Sequence, residues 1–559
     1  MRRVPNYRHE GFKKVSEYYY DEILRLYPVT ATCLGEHKYD DLLPVVGVEA
    51  IEKEISFLKA MRDSFQALPE RELTLDERLD RQIVMQICQT QLFMLEDVKR
   101  WRLGVDLAEN IGSSIFTLYI REFASLPERL ESIIARLRAV PVYLMNGRTL
   151  FQNVPQLWGE MFMETAERLP ELFATIEQNI NGRVPNAVFN EFQKSAKEAQ
   201  SALLKHSHWL KNAVMPNAKG DWAMGMGSFN ALMAIRRLGL SNNEILEIGE
   251  GRLRQAREKI DNYAKKMVGA GQSFKARREE AHTRVKSNAP KSFEHALEAY
   301  RDAVARSRAF VETSEFATLP TDEHLIVMET PSYMAQVIPF AAYLTPEKNS
   351  KPQKGIYLVT RNSANDAGSH NYSDISNTSI HEGYPGHHLQ LSAQNLHPSK
   401  FRVLSDSIEL VEGWAHYCEE EAKKLGFETG DENYFVQGID EAWRAARILI
   451  DVKIHTKVWS YEQGLQCLLE NTNMEQSSAM AEMKRYTQSP SYPLSYMVGK
   501  HLIYDLKNSL KNEFGSDFKD KLFHDLIIYE GSLPIFLGKE FYPRMMRENL
   551  KNSMVFENR

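Results

Sequence analysis

The sequence predicts a mostly α-helical protein with one small β-sheet, and three observations carry that expectation. Apolar residues recur at helical spacing over long stretches, serine–glutamate pairs stand where helices would begin, and only two short segments have strand composition.

Ile51, Ile55, Leu58 and Phe65 share one stripe, as do Ile245, Leu253, Ala256, Ile260 and Met267. A stripe of this period buries one face of a helix against a core. Ser125 and Ser241 stand three residues ahead of Glu128 and Glu244, the spacing at which hydroxyl and carboxylate cap each other's backbone amides. The helix opened at Ser125 is expected to end or kink near Pro141, which has no amide to donate. Leu325–Met328 and Ile356–Thr360 read as strands, which places a small sheet just ahead of a histidine-rich segment. The chain has no repeat and no low-complexity tract.

With 43% hydrophobic and 26% charged residues over 559 positions, the composition is that of a folded chain and excludes disorder. At about 150 residues per domain the length allows three or four units, but a large helical protein can wrap one core around a cleft. A single domain over 1–559 is therefore expected. The charged stretch Lys275–Lys286 reads as a solvated helix face or connection, and it marks a candidate boundary between lobes 1–285 and 286–559.

A net charge of -6 with mixed signs gives no basic stripe for phosphate backbones, so nucleic acid is excluded as a partner. The four cysteines, Cys33, Cys88, Cys418 and Cys467, lie too far apart for a CxxC pair and read as reduced thiols. Met1–Tyr7 begins with positive charge but runs into Arg8, His9 and Glu10, without the apolar stretch of a secretion signal. The apolar neighbourhood Val337–Leu344 is broken by Pro339 and falls short of the roughly 20 residues that span a bilayer. A cytoplasmic protein without a membrane segment is expected.

The segment His381-Glu382-Gly383-Tyr384-Pro385-Gly386-His387-His388 concentrates the chemistry. In the helical zinc motif HExxH, two histidines one turn apart share a face and the intervening glutamate is a general base. Here the position four after His381 is Pro385, and the next histidines are six and seven residues on. On an unbroken helix the seventh lies about 10 Å along the axis and the sixth points away. A shared metal therefore requires a broken helix. Pro385 clashes with the carbonyl of residue 381 and Gly386 accepts unusual backbone angles, so a bulge is expected there, able to swing His387 or His388 back beside His381.

Glu412 is the candidate third ligand, in a helix closed by Lys423, Lys424 and Gly426 with Trp414 and Ala415 toward the core. Two histidines and a carboxylate leave a fourth zinc position open, as catalytic sites do. Manganese and iron suit the same ligands.

The string from His381 to Gln390, followed by Glu412-Gly413-Trp414-Ala415-His416-Tyr417, resembles the domain-of-unknown-function 885 family. The likeness extends to Pro28-Val29-Thr30-Ala31-Thr32 with Leu34-Gly35, to Arg447 with Asp451 and His455, and to Ser495-Tyr496 with Gly499. That family is similar in fold to helical zinc peptidases such as thimet oligopeptidase and angiotensin-converting enzyme. The resemblance implies a large two-lobed helical fold around a deep channel, with the sheet next to the metal-site helix. It also implies one Zn2+ held by His381, His387 and Glu412, with His388 as the rival second ligand.

The implied chemistry is hydrolysis of peptide or peptide-like amide bonds in short substrates, with Glu382 as general base. Tyr496 is the candidate oxyanion donor, with a packed tyrosine as the alternative. Asp451 can fix the tautomer of His455, one turn on, for oxyanion or substrate binding, unless the two form only a structural pair. His416 is a candidate for orienting Glu412. Arg485, next to Tyr486, can hold a substrate carboxylate, and the strand around Tyr357 can offer its edge to an extended peptide. Two other readings use the same residues: metal-dependent chemistry on a non-peptide small amide, or a helical binding scaffold with a degenerate site.

Overall fold

A computed structural model describes residues 5–330, 338, 341–361, 370–405 and 407–557. Of the segments read above, Met1–Val4, Val337, Pro339 and Phe340 lie outside them. The chain is mostly helical, with one three-stranded sheet. Among the described residues no helix is long and apolar enough to cross a membrane, and all four cysteines are free thiols.

The helices begin where their caps predict. Ser125 with Glu128 and Ser241 with Glu244 form complete capping boxes on helices Leu126–Gly147 and Asn242–Val268. Such a cap contributes about 1 kcal/mol. The first of these does not stop at Pro141 but runs on to Gly147. Pro141 lies on the exposed face, so its missing amide costs one intrahelical bond without disturbing the packed side.

Both predicted stripes face the interior: Leu58 and Phe65, and Ile245, Leu253, Ala256, Ile260 and Met267, belong to one core that runs from Phe12 to Met546, Ile55 is half-buried against it, and Ile51 is buried. A second core is formed by helices Leu107–Ile120, Leu126–Gly147, Gln156–Ile180 and Asn186–Trp209. The charged stretch after Lys275 is helical, Phe274–Ser287, and buries Ala281 and Val285 in the main core, which thus continues across position 285.

Strands β1 (Glu323–Glu329), β2 (Ala341–Leu344) and β3 (Gln353–Val359) are ordered β1-β3-β2. β1 runs parallel to β3 and β2 antiparallel to it. The segment expected to present an edge to a peptide is therefore the central strand, with its backbone groups paired on both sides. Tyr357 is completely buried, with its ring against Tyr300 at 81°, and so does not line a substrate surface. The face of β3 that carries Gly355 packs directly on His388, which sets the sheet behind the histidine segment.

Candidate metal centre

Six helices build the site: α1 (Tyr372–Glu382), α2 (His387–Asn395), α3 (Ile408–Lys424), α4 (Asp431–His455), α5 (Gln476–Gln488) and α6 (Ser495–Phe514). The break expected at Pro385-Gly386 is present: α1 ends at Glu382 and α2 starts at His387. The amide of Gly386 turns back to the Ile380 carbonyl at 3.1 Å. A Cβ on Gly386 would overlap the carbonyl oxygens of Ile380 and His381, so only glycine allows the two segments this close. Three side chains anchor the break. Trp414 donates its indole N–H to the Pro385 carbonyl at 2.9 Å. The Tyr384 hydroxyl donates to the Glu323 carboxylate, and His388 Nε2 lies 2.7 Å from the same carboxylate.

The break brings His387, not His388, to His381. Their rings stand 4.8 Å apart at 89°. His387 Nε2 lies 3.4 Å and His381 Nε2 3.7 Å from Glu412 Oε2, and one ligating atom from each of the three residues falls within 4.8 Å of the others. Two ligands on a tetrahedral zinc at about 2.0–2.1 Å stand roughly 3.3 Å apart, so these spacings fit such an ion. His388 is completely buried and committed elsewhere, to Glu323 and, through Nδ1, to the Tyr343 hydroxyl at 3.0 Å. It is not a ligand candidate.

Glu412 reaches the histidines because α3 and α6 meet backbone to backbone. A Cβ on Gly413 would overlap Gly499, and one on Gly499 would overlap the Glu409 carbonyl. The same crossing delivers Tyr492, whose hydroxyl donates to Glu412 Oε1 at 2.8 Å, and Tyr496, whose ring stacks 6.5 Å from His381. Burial raises the Glu412 carboxyl, but the imidazoles of His381 and His387 outweigh it and hold the group well below the usual range. Burial likewise lowers His381, yet Glu412 and Glu419 bring it up to about 10. Burial and the Glu412 charge push the Tyr496 phenol up to about 12, which keeps it a proton donor at neutral pH.

Glu382 closes α1, half-buried, and its side chain makes no hydrogen bond or ion pair among the described residues. Its carboxylate is close enough to bear on the buried Tyr357 phenol, which burial, Tyr300 and Glu382 together raise.

Three roles expected from sequence fall to other residues. His416 does not orient Glu412: neither ring nitrogen makes a hydrogen bond, the nearest acid is Glu419 at 3.4 Å, and burial with the Lys500 charge lowers it to about 4. Tyr492 holds Glu412 instead, and Glu419 holds His381, its Oε1 lying 2.7 Å from Nδ1. His455 is not at the site. Its Nε2 pairs with the Tyr486 carbonyl at 3.0 Å and its ring packs on Phe229 and Trp222. Asp451 is 3.8 Å away, too far to bond it, because that carboxylate accepts from the amides of Ser491 and Leu494 at 3.0 and 3.1 Å and so shapes the turn that carries Tyr492. Arg485 is partly exposed, bonds Glu482 at 2.7 Å and lies 5.8 Å from the Tyr492 ring, one aromatic side chain from Glu412.

Glu419 was within reach of sequence reasoning, since it follows Glu412 by seven residues and returns to the same helix face two turns on. Tyr492 was not: it stands in Ser491-Tyr492-Pro493, outside any periodic segment.

No curated protein matches the chain. Two solved structures share its fold. A putative lipoprotein of unknown function from Shewanella oneidensis matches with a TM-score of 0.77 at 21% identity, covering 96% of this chain and 99% of its own. The putative lipoprotein from Colwellia psychrerythraea matches with a TM-score of 0.82 at 16% identity, covering 97% and 100%. Their description overturns the cytoplasmic placement expected from the sequence. The family model described as "Bacterial protein of unknown function (DUF885)" matches residues 28–537, nearly the whole chain and every segment that builds the candidate site, and the chain belongs to that family.

Proposed function

We propose that the chain is a zinc-dependent hydrolase of peptide or peptide-like amide bonds in short substrates. The observation that carries the reading is the convergence of His381, His387 and Glu412, three ligating atoms within 4.8 Å, with Glu382 next to His381 in the chain and its charge bearing on that imidazole. The family's likeness in fold to helical zinc peptidases such as thimet oligopeptidase and angiotensin-converting enzyme supports the reading. The description of both solved relatives as putative lipoproteins supports a lipid-anchored setting for this chain too.

His381, His387 and Glu412 would hold the ion, which supplies Lewis acidity when bound. Glu382 takes a proton from the attacking water, whose oxygen joins the acyl carbon. The C–N bond breaks, and Glu382 returns the proton to the departing amine. Tyr496 donates its phenolic hydrogen to the oxyanion that forms on the carbonyl oxygen. Glu419 and Tyr492 do not touch substrate; they fix the rings and carboxylate that do.

Metal content and turnover of pooled short peptides test the reading together. Near-stoichiometric zinc is expected in wild type and Glu382→Gln and little in His381→Ala, with turnover reduced by about 10²–10⁴ in Glu382→Gln. Absence of any stoichiometric divalent metal from the wild type sinks the proposal.

A further inference from the structure

Next to the metal centre, α4 and α5 gather positive charge that the hydrolytic step does not use. Arg447 is buried, its guanidinium carbon 4.1 Å from the ring centre of Trp443 and 4.5 Å from that of Tyr496. Its Nε donates to the Tyr486 hydroxyl at 2.8 Å and its Nη2 to Glu482 Oε2 at 3.1 Å. Arg485 Nη2 donates to that same oxygen at 2.7 Å. Two guanidiniums thus share one carboxylate, leaving one positive charge unbalanced. Among the described residues Arg447 Nη1, Arg485 Nη1 and Arg485 Nε have no hydrogen-bond acceptor.

The surplus charge lies against the two tyrosines that face the metal ligands. Tyr496 stacks on His381, and Tyr492 bonds Glu412 while Arg485 stands 5.8 Å from its ring. Through Tyr492 the Arg485 guanidinium lies no more than about 11 Å from Glu412, within the reach of about three extended residues at ~3.3–3.6 Å each. A guanidinium fork with free N–H groups, held flat by aromatic rings, matches a carboxylate in shape and charge.

We propose that Arg485 and Arg447 seat a free C-terminal carboxylate on the leaving-group side, so that the site acts on short peptides cut within about three residues of their C-terminus. This rests on the hydrolase reading and narrows it to a substrate class. Amide-capped chains and long internal segments bring no charge to this seat, and Glu482 alone cannot neutralise both arginines.

The test uses matched short peptides, each as free acid and as C-terminal carboxamide, on the zinc-loaded protein. Wild type is expected to favour the acids by about tenfold or more in kcat/KM, carried by KM. Glu382→Gln, titrated calorimetrically, should bind the acids more tightly than the amides by a similar factor. In Arg485→Gln the acid-over-amide ratio should fall toward one, and Arg485→Lys should restore part of it. Equal handling of acids and amides in both turnover and binding overturns this inference and leaves the hydrolase reading standing. Preferential binding of acids without turnover by any metal-loaded form keeps the carboxylate seat and removes the hydrolase. Neither binding nor turnover removes both.

Discussion

The indole N–H of Trp414 meets the carbonyl of Pro385 at 2.9 Å, tying the helix that carries Glu412 to the break that delivers His387. The spacing of these candidate ligands is therefore held between two elements rather than within one. Trp414→Phe keeps most of the buried ring but removes the donor, leaving only the weak Cys418 thiol contact on that carbonyl. An unsatisfied buried acceptor costs about 1–3 kcal/mol. A lower denaturation midpoint together with weaker zinc retention in a chelator titration is expected, and unchanged retention would show that the ligands do not depend on this clamp.

Gly386→Ala probes the break itself. The added methyl has no room beside the carbonyls of Ile380 and His381, so α2 must shift away from α1. Helix content by circular dichroism should stay near wild type, since most helices lie far from the break, while metal stoichiometry should collapse. Full zinc occupancy in this variant would contradict the close approach.

His387→Ala and His388→Ala should fail in opposite ways. Loss of His387 removes a ligand candidate and should abolish stoichiometric metal with little loss of stability. Loss of His388 leaves Glu323 buried with Tyr384 and Arg308 but without its imidazole partner. That variant should retain metal and lose about 1–3 kcal/mol of stability in urea. Metal loss in His388→Ala but not in His387→Ala would reverse the assignment.

Glu419→Gln keeps size and an acceptor oxygen beside His381 Nδ1 but removes the charge. Partners of this kind tune metal affinity by about 10–100-fold. Competition against a calibrated chelator should show a drop of that order. Wild-type affinity in this variant would mean that the charge behind His381 does not strengthen its hold on the ion.

His455 governs an acid-sensitive share of stability. Burial, aided by the Arg100 charge, lowers it to about 3, below the ordinary value, so the unfolded chain binds the extra proton in the window between. The stabilising share is complete above the ordinary histidine range and is lost as pH falls toward 3. From pH 7 to pH 5, wild type should lose about 2 kcal/mol more than His455→Gln. Parallel stability curves for the two proteins would mean that His455 carries its proton in the folded state.

The helices were legible because their signals are local. Capping boxes at Ser125 and Ser241 and the stripes through Leu58 and Ala256 depend on neighbours within a turn or two. The break was legible for the same reason, since Pro385 and Gly386 act on their own backbone. The choice between His387 and His388 was not, because it depends on Glu323, some sixty residues earlier on β1, which claims the second imidazole. Asp451 and His455 misled for a related reason: helix spacing makes them neighbours, but the amides of Ser491 and Leu494 outcompete the imidazole for the carboxylate. Pro141 misled because a proline on a solvated face leaves the packed face of its helix intact.

The crossing of Gly413 and Gly499 has a consequence for how the molecule can open. With no side chain between the two backbones, α3 and α6 have no room to slide or rotate without parting altogether, so Glu412, Tyr492 and Tyr496 move as one block. Any rearrangement around the candidate ligands therefore has to carry these three side chains together.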